Sequence, residues 1–403
     1  MEVNYTPVSD LLAVDGIRLS TAAAGIRYKD RDDLLLIEVS EGSSVAGVFT
    51  QNRFCAAPVL LCREYLKNQA PRFLVINSGN ANAGTGEKGL SNARNICQSL
   101  GELASVDTDR VLPFSTGVIG EQLPVEPFTN AFPQALQGLD KDNWLAAAKA
   151  IMTTDTVPKA ISRRLTLGEK EITLTGIAKG SGMIEPNMAT MLAYIATDAA
   201  ISPDLLQSML KQAADLSFNS ITVDGDTSTN DALMLMATGK SGVIVESGSE
   251  AVLFQQTLNE MCQHLAQSII RDAEGATKFV TLSVQSAPDL ETARAVAFTV
   301  ARSPLVKTAL FASDPNWGRI LAAIGRSPVK HLDISKLSLW LGNTQLIEAG
   351  QPVATYTEQA GQSEMENEEI TIGIDLNDGE ANSTVWTSDL SHDYVTINAE
   401  YRS

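Results

Sequence analysis

The chain has 403 residues, 44% apolar, 19% charged and 5% aromatic, and 30 basic against 48 acidic residues leave a net charge of −18. At about 150 residues per domain this predicts two to three domains, with a core large enough to need neither staples nor metal. An acidic excess spread over ordinary apolar content excludes a phosphate-tracking nucleic-acid binder and a disordered chain.

The opening Met1-Glu2-Val3-Asn4-Tyr5-Thr6-Pro7 has no cationic or apolar targeting region, so no signal or transit peptide is expected. Short apolar runs predict strands at Leu34–Val39, Ser44–Thr50 and Phe73–Ile76, followed by helices at Leu90–Ala104 and Asn143–Met152. Ile161–Leu167 and Glu171–Ile177 read as a hairpin about Gly168-Glu169-Lys170. Lys179–Thr190 is a turn-rich, flexible Gly/Ser stretch and the best candidate for a division of the chain. Helices follow at Pro203–Leu216 and Ala251–Ile270, the latter with Leu258, Met261, Cys262, Leu265 and Ile269 on one face. Strands return at Phe279–Val284, Leu337–Leu341, Ile370–Leu376 and Thr384–Thr387, with Asn377-Asp378-Gly379 as a hairpin turn between the last two. Tyr394–Ile397, apolar and β-branched, suits a strand that anchors the chain end. Strands and helices segregated in this way favour an α+β fold. No apolar run approaches the ~18 residues of a membrane span. Cys55, Cys62, Cys97 and Cys262 form no CxxC pair and read as reduced thiols of a cytoplasmic protein.

Two phosphate-loop look-alikes fail on context. Gly84-Thr85-Gly86-Glu87-Lys88-Gly89 fits G-x-G-x-x-G, but Asn77–Ala83 separates it from the expected strand. Gly239-Lys240-Ser241 lacks the first glycine of a Walker loop, since Met234 stands there. Only His264, His331 and His392 carry imidazoles, far apart, and no HExxH, Cys/His cluster or G-x-S-x-G elbow is present, so neither a zinc site nor a Ser-His-Asp triad is expected.

Lys179–Asp198, KGSGMIEPNMATMLAYIATD, is the most informative stretch. Its turn-rich run ends at Ala189, and Thr190 opens an apolar run. Cleavage before a hydroxyl residue makes that residue's own α-amine a general base, with a pKa near ~7.7–8.0. A histidine-poor enzyme can then run acyl transfer from one residue, although the pattern alone reads more readily as a glycine loop before a core strand.

The stretch resembles the ornithine acetyltransferase (glutamate N-acetyltransferase) family of arginine biosynthesis, the ArgJ family, whose hallmark KG[SA]GM…PNMATML self-cleaves between Ala and Thr. The resemblance runs over essentially the whole chain, through Asn77–Ala83 (NSGNANA), Ser115-Thr116-Gly117, Met152–Thr156 (MTTDT), Val223–Asp231 (VDGDTSTND), Ala273–Lys278 (AEGATK), Ser313–Arg319 (SDPNWGR) and Asn398–Ser403. It implies Thr190 as the nucleophile, taking acetyl as an ester, and cleavage between Ala189 and Thr190. It implies Thr116 and Gly117 as the oxyanion hole, and Thr153, Lys179, Thr190, Glu274, Asn398 and Ser403 as substrate contacts. Lys179 and Glu274 supply the cation and anion that a zwitterionic amino acid requires. Glu185 is an extra anion near the loop.

The implied fold is an α/β/β/α sandwich like that of N-terminal-nucleophile hydrolases, self-processed into an α chain, 1–189, and a β chain, 190–403, assembled as α₂β₂. The implied reaction moves acetyl from N²-acetylornithine to glutamate in a ping-pong cycle, with no cofactor or metal, and with acetyl-CoA as a second donor if the enzyme is bifunctional. Alternatives are a self-processing amidase or peptidase, in which water resolves the acyl-enzyme, and a catalytically dead scaffold.

Overall fold

Leu34–Val39 is buried at five of its six positions because both its edges are paired: Ile17–Ala22 lies antiparallel on one side and Phe73–Asn80 antiparallel on the other. Val111–Val118 then joins Phe73–Asn80 in parallel and completes a four-stranded sheet. The parallel pair needs a crossover, which the helix Gly86–Ala104 provides. These elements belong to the larger of two compact units into which the computed structural model divides, Pro7–Asn219 with Thr227–Ile269; the smaller comprises Met1–Thr6, Ser220–Asp226 and Ile270–Ser403. The structure describes residues 2–8, 10–185 and 191–400.

A second sheet of the larger unit runs Ser44–Phe49, Ala232–Ala237, Leu192–Thr197, Lys170–Lys179, Lys159–Leu167. Its last two strands form the expected hairpin, with Leu167 opposite Lys170 and Gly168 at φ +62°, a left-handed turn position that suits glycine. The two sheets share one core, where the Phe114 ring meets Tyr194 edge-on with centroids 5.3 Å apart, a contact worth about 0.5–1.5 kcal/mol beyond burial. Ala57–Tyr65 and Gly86–Ala104 pack against Val111–Val118. Pro203–Asp215 packs on Ser44–Phe49 and Ala232–Ala237. Leu265, on the helix Gly248–Arg271, closes over Gly176. Helices and two sheets thus layer within this unit, as an α+β sandwich does.

The smaller unit holds one seven-stranded sheet: Ile221–Thr222, Ala381–Ser388, Phe279–Ala287, Glu369–Asp375, Ser338–Leu341, Thr344–Glu348, Gln351–Pro352. Leu290–Ala301 covers Phe279–Ala287 and Ala381–Ser388 with Ala293, Val296, Ala297 and Val300, the spacing of one apolar helix face. Asp289 caps its start by accepting from Thr292 N–H at 2.7 Å.

Four sequence expectations are corrected. Asn377-Asp378-Gly379 does not close a hairpin, because Phe279–Ala287 lies between Glu369–Asp375 and Ala381–Ser388. The connection crosses the end of that strand instead, with Asp378 N–H on Ser286 O at 2.8 Å, and a Cβ at Gly379 would fall 2.3 Å from Ala287 O. Tyr394–Ile397 is helical, inside His392–Ala399, because Ser391 caps Tyr394 N–H and starts a turn that β propensity alone does not foresee. The glycine-rich stretch does not divide the units, whose borders fall near residues 220, 226 and 270. Nor is its described part a loose loop: Gly180, Ser181, Ile184 and Glu185 are buried.

Lys307 is fully buried in the smaller unit, donating to Thr387 Oγ1 at 2.9 Å and to Ser388 O. Burial lowers its pKa to about 8, against the opposing charges of Asp389 and Asp224. Folding therefore opposes the charged form, and that penalty is full below pH 8 and relieved as pH rises from there toward 10.5. Wild-type protein is expected to gain stability relative to Lys307→Met across this interval in urea unfolding; a difference independent of pH would contradict the burial argument.

Candidate active site

The parallel strands Phe73–Asn80 and Val111–Val118 pair Asn77 with Ser115, Ser78 with Thr116 and Gly79 with Gly117. Gly117 has φ +131°, and a Cβ there would lie 2.3 Å from the Gly79 carbonyl carbon. No side chain fits, so the backbones approach closely where Thr116, 9% exposed, sits. Asparagines hold this corner. Asn77 Nδ2 donates to Ser115 Oγ at 2.6 Å, and Asn77 Oδ1 accepts from Asn80 N–H at 3.2 Å. Asn80 Oδ1 accepts from Asn82 N–H at 2.7 Å. Asn82 Nδ2 donates to Gly89 O at 3.0 Å, which ties down the G-x-G-x-x-G turn. Each bond satisfies a buried polar group that would otherwise cost about 1–3 kcal/mol.

The second sheet brings three further segments to this corner. Leu192 is opposite Lys179 on one side and Ala232 on the other, and Ala232 N–H donates to Met191 O at 3.1 Å. Two residues before Ala232, Asn230 Nδ2 donates to Ala81 O at 2.6 Å and Ser115 O at 2.8 Å. Ser78 Oγ, opposite Thr116, donates to Ala150 O at 2.6 Å, just ahead of Thr153. Thr116, Gly117, Thr153, Lys179 and Met191 are thereby linked in one region of the larger unit through bonded neighbours.

Thr153 Oγ1 accepts from Lys179 Nζ at 3.2 Å, and Asp155 anchors the backbone of Thr153 and of Gly180, the residue after Lys179. One Asp155 oxygen accepts from Lys159 Nζ and Gly180 N–H, each at 2.6 Å; the other accepts from Thr153 N–H at 3.0 Å. The Lys159–Asp155 pair has no exposed side-chain surface. Burial works to raise the Asp155 pKa, but the charges of Lys159 and Lys179 and the Lys159 and Thr153 bonds outweigh it and hold the carboxyl well below its ordinary range.

In the smaller unit the structure joins Glu274 and Asn398: Asn398 Nδ2 donates to Glu274 Oε2 at 2.7 Å and to Tyr394 O at 3.0 Å. Gly275, at φ +68°, lets the Glu274 loop lie on the start of the helix His392–Ala399, since a Cβ would meet Ser391 Oγ at 2.6 Å. Asp389 fixes the other side of the loop through Thr277 N–H at 2.8 Å and Lys278 N–H at 3.0 Å.

Ala189, Thr190 and Ser403 lie outside the described residues. All three histidines are exposed, and among the described residues no group of His, Cys, Asp or Glu forms a metal cluster. Nor is any described helix long and apolar enough to cross a membrane. The four cysteines are free thiols. Asn230, Asp155 and Lys159 were not among the expected site residues. Asp155 sits in the MTTDT stretch and Asn230 in the VDGDTSTND stretch, whereas Lys159 lies in neither, and nothing in the sequence says what the three hold.

The ArgJ family model matches residues 18–403. The arginine biosynthesis bifunctional protein ArgJ of Methylococcus capsulatus is 55% identical over 395 residues, 98% of this chain and 97% of that protein. Its namesake in Pseudomonas fluorescens is 53% identical over the full length of both. The ornithine acetyltransferase of Mycobacterium tuberculosis, solved with ornithine, is 30% identical, covers 43% of this chain and 93% of its own, and superposes with a TM-score of 0.39.

Asn230→Ala removes both donors from the Ala81 and Ser115 carbonyls and leaves them buried. Urea unfolding is expected to show a loss of about 1–3 kcal/mol or more; an unchanged midpoint would show that Asn230 does not brace the corner.

Proposed function

The chain belongs to the ArgJ family, and on that premise we propose that it is the glutamate N-acetyltransferase of arginine biosynthesis, moving acetyl from N²-acetylornithine to glutamate. The observation that carries this reading is the linkage of the Ser115-Thr116-Gly117 strand end, through Asn230, to the strand that follows the family's nucleophile position.

In this reading the chain cleaves itself between Ala189 and Thr190, giving chains of 1–189 and 190–403. The Thr190 hydroxyl attacks the acetyl carbonyl of the donor while its α-amine takes the proton. Thr116 hydroxyl and Gly117 N–H stabilise the developing oxyanion, ornithine leaves with a proton from the amine, and glutamate then takes acetyl from the Thr190 ester. Lys179, beside Thr153, offers the cation for a substrate carboxylate; Glu274, held by Asn398, offers the anion for a side-chain ammonium, with Ser403 as a further contact. Neither a cofactor nor a metal is required, acetyl-CoA serves as an alternative donor, and the enzyme works in the cytoplasm as α₂β₂.

Two features support a cleaved enzyme. The exposed histidines leave no imidazole at the described clusters, which suits an amine base. The proposed cut also separates Lys170–Lys179 from Leu192–Thr197, whose six paired positions keep the two chains in one sheet.

The test is steady-state acetyl transfer from N²-acetylornithine, with and without glutamate. Turnover should depend on glutamate, whereas release of acetate at the same rate without it would favour an amidase. Thr116→Ala should lower kcat about 10²–10³-fold with little change in KM, because the oxyanion contact strengthens in the transition state; a change in KM alone would reassign Thr116 to ground-state binding. The wild-type kcat/KM should rise with pH through one ionisation near ~7.7–8.0 and survive substitution of each histidine.

A further inference from the structure

The loop between Ile17–Ala22 and Leu34–Val39 lies on the corner that holds Thr116 and Gly117. Asp33, 0% exposed, shapes it. One of its carboxylate oxygens accepts from Ala24 N–H at 2.8 Å and Gly25 N–H at 3.2 Å, the other from Ile26 N–H at 2.7 Å and Arg27 N–H at 3.3 Å. Asp33 O accepts from Ser78 N–H at 3.0 Å, and a Cβ at Gly79 would lie 2.8 Å from Arg27 Cβ. Ser78 and Gly79 are the residues opposite Thr116 and Gly117. The same loop carries Arg31, whose Nη2 donates to Met152 O at 2.8 Å. The guanidinium therefore sits against the peptide that joins Met152 to Thr153, with the Tyr28 ring centroid 4.0 Å from its central carbon. A guanidinium has five N–H donors, yet among the described residues Arg31 makes no ion pair and no hydrogen bond besides that to Met152 O. Its Nε is buried with no partner. Arg27, in contrast, is paired with Glu121 at 3.3 Å. A buried donor left unpaired is costly and calls for a reason.

The proposed reaction supplies one. Its two half-reactions take amino acids whose side chains end in opposite charges, the ammonium of ornithine and the carboxylate of glutamate. An anion that suits the first repels the second, so the acceptor needs a cation that the donor does not. The planar guanidinium fork matches a carboxylate through two parallel N–H···O bonds. We propose that Arg31 recognises the side-chain carboxylate of the acceptor glutamate and so sets the specificity of the second half-reaction. The inference rests on the reading of the chain as a glutamate N-acetyltransferase.

Arg31→Gln removes both the charge and the fork, and Arg31→Lys keeps the charge alone. In a ping-pong cycle kcat/KM for each substrate reports its own half-reaction, so steady-state assays separate donor from acceptor. Arg31→Gln is expected to lower kcat/KM for glutamate about 10–100-fold. It should leave kcat/KM for N²-acetylornithine, and for glutamine as a neutral acceptor, within about threefold of wild type. Arg31→Lys should fall between the two. An unchanged value for glutamate overturns the inference. So does an equal fall for N²-acetylornithine, which would mean that Arg31 only holds the Met152 carbonyl or meets the carboxylate both substrates share, and so does an equal fall for glutamine. If Arg31→Gln does not fold, Arg31→Lys decides through the ratio of kcat/KM for glutamate to that for N²-acetylornithine. A ratio lowered about threefold or more supports the fork, and an unchanged one overturns it. Wild-type protein that transfers no acetyl to glutamate removes the underlying reading and the inference together, whereas active wild type with silent variants removes only the role of Arg31.

Discussion

Leu192–Thr197 is hydrogen-bonded on both edges, antiparallel to Lys170–Lys179 and parallel to Ala232–Ala237, and all six of its residues are buried. Neither end of such a strand can shift without breaking a ladder and exposing apolar surface, and the site inherits that rigidity. Lys179 is fixed because it is opposite Leu192. Asn230 is fixed because it enters Ala232–Ala237, and it carries the position across to Ser115. Thr116 and Gly117 then owe their place to the Gly79–Gly117 approach, which only glycine permits. The chemistry proposed for Thr190 depends on this chain of constraints, since an oxyanion donor displaced by even 1 Å loses much of its value.

The polar part of the site is built from buried amides and one carboxylate that hold their neighbours. Asn77, Asn80, Asn82 and Asn230 spend their amides on buried carbonyls, hydroxyls and backbone N–H groups. The Asp155 carboxylate is saturated by three donors besides the charge of Lys179. Such networks are costly when incomplete and rigid when complete, which suits the roles proposed for Lys179, Thr116 and Gly117.

Local patterns were legible where local forces decide. Leu34–Val39 has no choice but to be a buried strand, and the 3- and 4-residue spacing of Leu258, Met261, Cys262, Leu265 and Ile269 makes one helix. Legibility failed where a distant element intervenes. Asn377-Asp378-Gly379 has turn residues, yet Phe279–Ala287, some ninety residues earlier, occupies the place a hairpin would need. Tyr394–Ile397 has strand-like composition, but the Ser391 cap and the Asn398 bonds to Tyr394 O and Glu274 favour a helix. Thr153, Lys179, Glu274 and Asn398 were nameable only through family resemblance. What Asp155, Lys159 and Asn230 hold stayed hidden because a carboxylate, a lysine or an amide in isolation reads as a solvated side chain until its partner is in view.

Denaturing mass measurement tests the central claim most directly. After incubation with N²-acetylornithine and no glutamate, the protein should resolve into chains of 189 and 214 residues, the longer beginning Thr190-Met191-Leu192 and heavier by one acetyl group carried on Thr190. A single intact chain of 43.1 kDa with full transferase activity, or an acetyl group carried elsewhere, would contradict the account.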